Sequence, residues 1–388
     1  MTANVTSIAR VRNAARRREE STAVNRRLIA VLLASVLVLL VIGLGELMSA
    51  SSIRGLADAS DQFYYFKRQM VGLAIGLVVL LAAIRLRYQT YKSLAMPLFL
   101  ASLAGLVAVK LIGLARNGST RWLDLGFVTF QPSEISKIAV IIALSALFES
   151  KGNLLSNRHH FLMPIYKVVG STALLIMLQP DLGTTLVVVA AAMAVMLVSR
   201  APLRYVLGLA VIAVAAALLL AMGASYRMDR ITSFLDPWAD PAGTGYQVIQ
   251  GYYAMAEGGL FGVGLGASRA RWSFLPNAHT DFIFAIVGEE TGFVGGLGVI
   301  ALCLFIALCG WSITSRAPDR FGRMVAGGIT TWLSFQALAN IGGVLGVLPI
   351  TGIVLPFVSY GATALITSLA GVGVLINIAR QGVARSDP

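Results

Sequence analysis

Apolar positions in this chain run on rather than alternate. Ten stretches, at about residues 28–49, 69–84, 94–113, 132–149, 164–179, 183–199, 203–223, 281–312, 323–345 and 355–379, are poor in charge and separated by polar segments. Several approach the ~20 residues that a helix needs to span a bilayer. The pattern predicts an all-α polytopic membrane protein with about ten transmembrane helices. A β-barrel would show short alternating segments instead. One large extracytoplasmic loop, 224–280, separates the seventh and eighth spans. A tail (1–27) precedes the single membrane domain (28–380), and a short tail (381–388) follows it.

Composition agrees. The 388 residues are 57% hydrophobic and 13% charged, about half the charge of an average soluble chain. The net charge of +13 does not indicate a nucleic-acid partner, because the basic residues gather in short segments between apolar runs. With the N-terminus inside, the inner segments and adjoining span ends hold twenty Lys and Arg, against nine in the outer segments 50–68, 114–131 and 224–280. This is the positive-inside bias, and it places both termini in the cytoplasm. Seven arginines lie in the first 27 residues, which read as a solvated tail that fixes topology or meets anionic lipid. No cleavage pattern follows that tail. Cys303 and Cys309 point to different helix faces, so they form neither a disulfide nor a metal pair.

Polar groups at membrane depth are costly and are functional candidates. Gln131-Pro132-Ser133-Glu134 opens the fourth span, with Lys137 three residues on. Proline suits the first helical turn, Glu134 the positive end of the helix dipole, and Lys137 an ion pair with Glu134. The pair is either a cap with its counter-ion or a cation placed for an anionic substrate group. Asp181, in the short turn Gln179-Pro180-Asp181-Leu182-Gly183, either caps the sixth span or lines a cavity. Asp281 stands with His279 and Thr280 where the outer loop meets the eighth span. It either caps that helix or, partly desolvated, serves as a base. Glu289 and Glu290 follow two turns later, with Glu289 expected on the Asp281 face, beside Gly288, Gly292, Gly295 and Gly296. These glycines allow close helix approach or a break. Two prolines and two glycines in 348–361 predict a broken or re-entrant segment. Gly262-Val263-Gly264-Leu265-Gly266 resembles a phosphate cradle, but no strand precedes it, so it reads as a flexible loop. No internal repeat is evident, which weighs mildly against an inverted-repeat transporter.

Five motifs, in order along residues 28–380, resemble the SEDS family (shape, elongation, division and sporulation). They are Asn117-Gly118-Ser119-Thr120-Arg121-Trp122 with Gln131-Pro132-Ser133-Glu134 and Lys137; Gln179 to Thr184; His279 to Ala285 with Glu289-Glu290; Leu348-Pro349 with Thr351-Gly352; and Pro356 to Gly361. Arg271 to His279 looks more like the division branch than the elongation branch. Ser119-Thr120 and Gly361-Ala362-Thr363-Ala364 depart from the usual family pattern, which leaves room for altered substrate contacts.

The resemblance implies ten helices and a peptidoglycan glycosyltransferase that polymerises lipid II at the outer face of the bacterial cytoplasmic membrane, during division at the septum. It also implies a class B penicillin-binding protein as transpeptidase partner, besides other division-complex membrane proteins and membrane lipid. Asp281 matches the essential aspartate of the family and is the candidate catalytic base of an inverting transfer. Lys137, Arg121, Arg269 and Arg271 are candidates to meet the diphosphate, with Glu134 orienting Lys137. Asp181, His279, Thr280 and Ser359 complete the substrate-binding candidates. No metal ligand set is expected, and a divalent cation (Mg or Mn) has a place only as a substrate-assisted ion between Asp281 and the diphosphate. The rival activity is a lipid II flippase, which needs a polar path through both halves of the membrane; here the polar groups gather toward the outer side. A pure division scaffold would not require Glu134, Lys137 and Asp281 together.

Overall fold

The computed structural model describes residues 2–116, 119–124, 126, 129–222, 225–272 and 274–381. Asn117 and Gly118 of the first motif, Ser273, and residues 382–388 of the predicted C-terminal tail lie outside the described residues.

Each predicted span corresponds to a helix or a run of helix. The first helix, α1 (Thr2–Ala59), takes in the basic tail and continues past the first predicted span. Arg54 and Asp58, one turn apart and 2.8 Å from each other, support that extension. Next come α2 (Tyr64–Arg85) and α3 (Tyr88–Ile112). A small antiparallel sheet follows, formed by β1 (Leu114–Arg116), β2 (Ser119–Asp124) and β3 (Thr129–Phe130), in a segment where the sequence predicts only an outer loop. Pro132 opens α4 (Pro132–Lys151) from its first turn. The fifth span is α5 (Arg158–Pro164) and α6 (Ser171–Met177), joined by a π-helical turn. Then come α7 (Leu182–Val198) and α8 (Leu203–Met222).

The outer loop holds α9 (Ser225–Leu235) and α10 (Tyr246–Gly258). The chain closes with α11 (Ile283–Ser315), α12 (Arg320–Val344) and α13 (Ala362–Gln381). The last helix starts later than predicted because residues 349–361 are irregular, with Gly352 and Phe357 at positive φ (72° and 67°).

By length and composition, six helices among the described residues can cross a membrane: α1, α2, α3, the α5–α6 run, α11 and α13. Helix α7 is apolar but shorter, and the part of α8 described in full, Leu203–Ala216, is apolar too. The more polar α4 and α12 lie in the interior, where Ile141, Trp332 and Ile329 are fully buried. Leu37, Val78, Leu111 and Val211 stand exposed on outer helices. So wide an apolar surface suits lipid and not water. Helices α2 and α13 meet most closely at Gly72 and Gly76, where a Cβ would come within 2.7 Å of Ala362 and 2.6 Å of Leu369. Small residues four apart are what close helix contact in lipid needs.

Of close approach and a break, the alternatives read for these glycines, α11 shows a break at Gly292, whose φ of 69° is accessible to glycine at little cost. The glycine-rich loop closes against it. Phe293 and Val294 donate to the carbonyls of Gly259 and Leu260, and Val263 and Gly264 donate to those of Glu289 and Glu290. The loop thus supplies the partners that the broken helix lacks, which is the condition for irregular backbone at membrane depth. This corrects the expectation of a flexible loop at Gly262–Gly266.

Candidate active site

A cavity of about 1080 Å³ opens at one end of the bundle. The C-terminal turns of α1 reach it with Arg54 and Asp58, and α2, α4, α7 and α13 all begin at its wall. Convergent helix N-termini bring partial positive charge, a setting that favours anions. Five arginines (54, 68, 121, 230 and 271) and four acids (Asp58, Glu134, Asp181 and Asp281) also line it.

Asp281 follows a turn in which Asn277 adopts φ 55° and accepts from the Thr280 N–H at 3.0 Å. The turn ends at Phe282 and the helix proper starts at Ile283, so Asp281 does not cap α11. Its carboxylate accepts from Thr280 Oγ1 at 3.1 Å. Its carbonyl is held by Asn340 Nδ2 of α12 at 2.8 Å, and the same nitrogen donates to Ile353 of the irregular segment, also at 2.8 Å. Asp281 is therefore fixed by its backbone, with its side chain in the cavity wall. Burial pushes this carboxyl above the ordinary aspartate range, opposed by its own N–H, the Thr280 hydroxyl and the charge of Arg230. Such a group is a stronger base than an exposed aspartate. His279 lies against Tyr65 and Tyr360. Burial, aided by Arg54, lowers its pKa to about 4, so it is neutral at pH 7.

The other candidates divide. Arg121 lines the cavity, lies 3.9 Å from Asp181, and donates to the carbonyls of Gln179 and Pro180. Asp181 caps α7 as expected, accepting from Thr184 N at 3.1 Å and Thr184 Oγ1 at 2.9 Å, and it also lines the cavity. Arg271 reaches the wall beside Ser49, and Glu134, Thr280 and His279 line it too.

Lys137, Arg269 and Ser359 do not line the cavity. Lys137 is 2% exposed. It pairs with Glu134 at 2.7 Å, donates to Gln336 Oε1 at 2.8 Å and lies over the Trp332 ring. Gln336 in turn donates to the Val354 carbonyl at 2.9 Å. Lys137 therefore braces the wall from behind, because only an ion pair and a hydrogen bond make a buried ammonium tolerable. Arg269 is exposed and its N–H is tied to Glu289. Ser359 Oγ accepts from Leu355 N and shapes the irregular segment.

Glu289 is also absent from the Asp281 wall. It accepts from Ser268 Oγ at 2.5 Å and Arg269 N at 2.6 Å, while Glu290 accepts from Ser49 Oγ at 2.5 Å and Gly266 N at 2.7 Å. The expected shared face fails because Asp281 precedes the helix and helical spacing does not apply to it.

Sequence reasoning does not single out Arg54, Asp58, Tyr65 or Arg230 for the site, and reaches Tyr360 and Thr363 only within longer motif stretches; all six lie on the cavity wall. The i,i+4 spacing of Arg54 and Asp58 beside a span end is the one signal that points to a helical pair there. Thr363, at a departure from the family pattern, joins β3 to α13: it donates to Thr129 O and accepts from Gln131 N, both at 3.1 Å. Among the described residues, no three His, Cys, Asp or Glu side chains are placed to hold a metal ion.

The comparisons with known proteins span nearly the whole chain. A family model described as cell cycle protein, covering FtsW, RodA and SpoVE, matches residues 29–383. The stage V sporulation protein E of Bacillus subtilis (strain 168) is 41% identical over 347 residues, 89% of this chain and 94% of its own. The probable peptidoglycan glycosyltransferase FtsW of Geobacter sp. (strain M18) is 36% identical over 353 residues, 90% of this chain and 96% of its own. Among solved structures, a chain of a peptidoglycan synthase complex that coordinates polymerization and crosslinking superposes with a TM-score of 0.73 at 30% identity, covering 90% of this chain and 97% of that one. The rod shape determining protein RodA of Thermus thermophilus does so with a TM-score of 0.67 at 28% identity, covering 92% and 97%. This multi-pass membrane chain belongs to the FtsW, RodA and SpoVE family of cell cycle proteins.

Proposed function

We propose that the protein is a peptidoglycan glycosyltransferase that polymerises lipid II, with Asp281 as its base. The observation that carries this reading is the placement of Asp281: a partly desolvated carboxylate in the wall of a large cavity where helix N-termini and arginines converge. Near full-length similarity to proteins named probable peptidoglycan glycosyltransferase supports it.

In the reaction, the 4-hydroxyl oxygen of the acceptor GlcNAc attacks the anomeric carbon of the donor MurNAc. Asp281 takes the hydroxyl proton as the new C–O bond forms. The anomeric carbon's bond to the diphosphate breaks, and its electron pair leaves with undecaprenyl diphosphate. Configuration inverts, and Asp281 returns its proton to solvent. The helix N-termini and basic wall stabilise charge on the departing phosphate. A divalent ion at this site would draw most of its ligands from the diphosphate and water, with Asp281 the protein's contribution.

The same reading gives ten crossings with both ends cytoplasmic, following the twenty-to-nine charge bias. It puts the cavity at the outer face of the cytoplasmic membrane. A class B penicillin-binding protein is the partner that crosslinks the product, a pairing supported by the similarity to a chain of a peptidoglycan synthase complex. Division at the septum is the proposed setting, alongside other division-complex proteins.

The test is a gel assay of lipid II polymerisation by the purified protein with a transpeptidase partner that cannot itself polymerise glycan. Wild type yields glycan ladders, and Asp281→Ala and Asp281→Asn yield none while still binding the partner. Ladders from either variant at the wild-type rate refute the base. Ladders from no form, with the protein folded and the partner bound, favour lipid II translocation, to be measured in liposomes.

A further inference from the structure

We propose that Arg230, from the outer-loop helix α9, grips the diphosphate of the polyprenyl-linked donor. The inference rests on the glycosyltransferase reading and assigns its leaving-group site. Of the five arginines on the wall, three hold an ion pair or short hydrogen bonds, and a fourth, Arg271, is part-buried with one hydrogen bond of 3.3 Å. Arg54 pairs with Asp58, and Arg121 with Asp181 and two backbone carbonyls. Arg68 donates to Gly126 O at 2.7 Å and lies over Tyr64. Arg271 reaches Ser49 and lies over Trp272.

Arg230 has one long contact, Nη1 to the Ile350 carbonyl at 3.4 Å, and among the described residues it forms no ion pair. Its guanidinium rests on Gly352, where a Cβ would stand 3.4 Å from Nη1 and 3.5 Å from Nη2. A Cβ there would touch the guanidinium at van der Waals distance, and the φ of 72° at 352 favours glycine. The glycine thus supports a flat, exposed cation whose donors are not consumed by the protein. A guanidinium matches phosphate oxygens two at a time, which an ammonium does not.

The location fits the chemistry. In an inverting displacement, base and leaving group flank one sugar ring, so the cation must share the chamber of the base without binding it. Arg230 lines the same cavity as Asp281, its charge acts on that carboxyl, and the carboxylate's side-chain hydrogen bond comes instead from Thr280.

The experiment uses the full-length protein with its polymerisation-deficient partner, comparing wild type, Arg230→Lys and Arg230→Ala. Initial rates are measured with added undecaprenyl diphosphate or undecaprenyl monophosphate as inhibitor. Arg230→Ala is expected to lower kcat roughly 10²-fold, the usual loss for one charge-stabilising donor, and to erase the preference for diphosphate over monophosphate. Arg230→Lys keeps the charge, recovers part of the rate and leaves a weakened preference. Loss of the cation also moves the acid limb of the pH–rate profile upward, since Arg230 supplies positive charge that favours the Asp281 carboxylate. A change confined to folding would move neither the preference nor the limb. An Arg230→Ala enzyme within twofold of wild type, or one that is slow but still prefers diphosphate, overturns the assignment. An inactive wild type removes the glycosyltransferase reading and this inference with it.

Discussion

Asp281 and Glu289 lie eight residues apart at the same end of α11, and the protein treats them oppositely. Glu289 is fully buried, and its oxygens take a serine hydroxyl at 2.5 Å and the Arg269 N–H at 2.6 Å. The Asp281 carboxylate, half-buried, accepts from the neighbouring Thr280 at 3.1 Å. One carboxylate is consumed as an acceptor for a loop; the other keeps capacity for a proton. Hydrogen-bond saturation is what distinguishes them.

Substitutions sharpen this contrast, and the largest effect is on activity. Asp281→Asn costs at least ~10²-fold in polymerisation rate but leaves the melting temperature in detergent unchanged or higher, because a desolvated charge is removed. A matching loss of stability would place Asp281 with Glu289 as a staple. Lys137→Met comes next: it strands Glu134 without its cation and costs roughly 3–5 kcal/mol of stability. The double variant Glu134→Gln/Lys137→Met recovers much of that loss in the same melting experiment. If single and double variants melt alike, the two residues are not a coupled pair. Glu289→Leu removes the acceptor of Ser268 Oγ and Arg269 N and destabilises by about 1–3 kcal/mol per buried donor left unpaired. Partial proteolysis then cuts the 259–271 loop first. Resistance equal to wild type would show that the carboxylate does not hold the loop.

The smallest effect is on pH. Asp281 accepts a proton only when ionised, so activity falls as pH drops through its pKa. Burial raises that pKa from 3.8, so the acid limb of the rate profile lies above the ordinary aspartate range. His279, at about 4, contributes no limb near neutrality. A limb at or below 3.8 would contradict the desolvated site.

Long apolar runs made the helices legible, since a chain that crosses lipid must satisfy its backbone internally. The Glu134–Lys137 pair, the Asp181 cap, the break in α11 and the irregular 348–361 stretch were legible because each depends on neighbours in sequence. Of the two readings of Lys137, the ion pair with Glu134 is the one seen in the structure, while Gln336 and Trp332, from a helix two hundred residues away, lie beyond what spacing reveals. The role of Gly262–Gly266 was hidden for the same reason: its partners are carbonyls of α11. Arg54, Asp58 and Tyr65 fell in a segment read as loop, and Arg230 gains meaning only from the distant Gly352 beneath it.

The break at Gly292 divides α11 into two mechanical parts. The short segment before it, from Ile283, is fastened to the outer loop through Glu289 and Glu290, by backbone and side chain together. The long segment after it runs on, bonded to the loop through the N–H groups of Phe293 and Val294. The turn that bears Asp281 and the outer loop are thereby stapled to one short segment, and the loop spans the glycine by bonding to the chain on both sides of it.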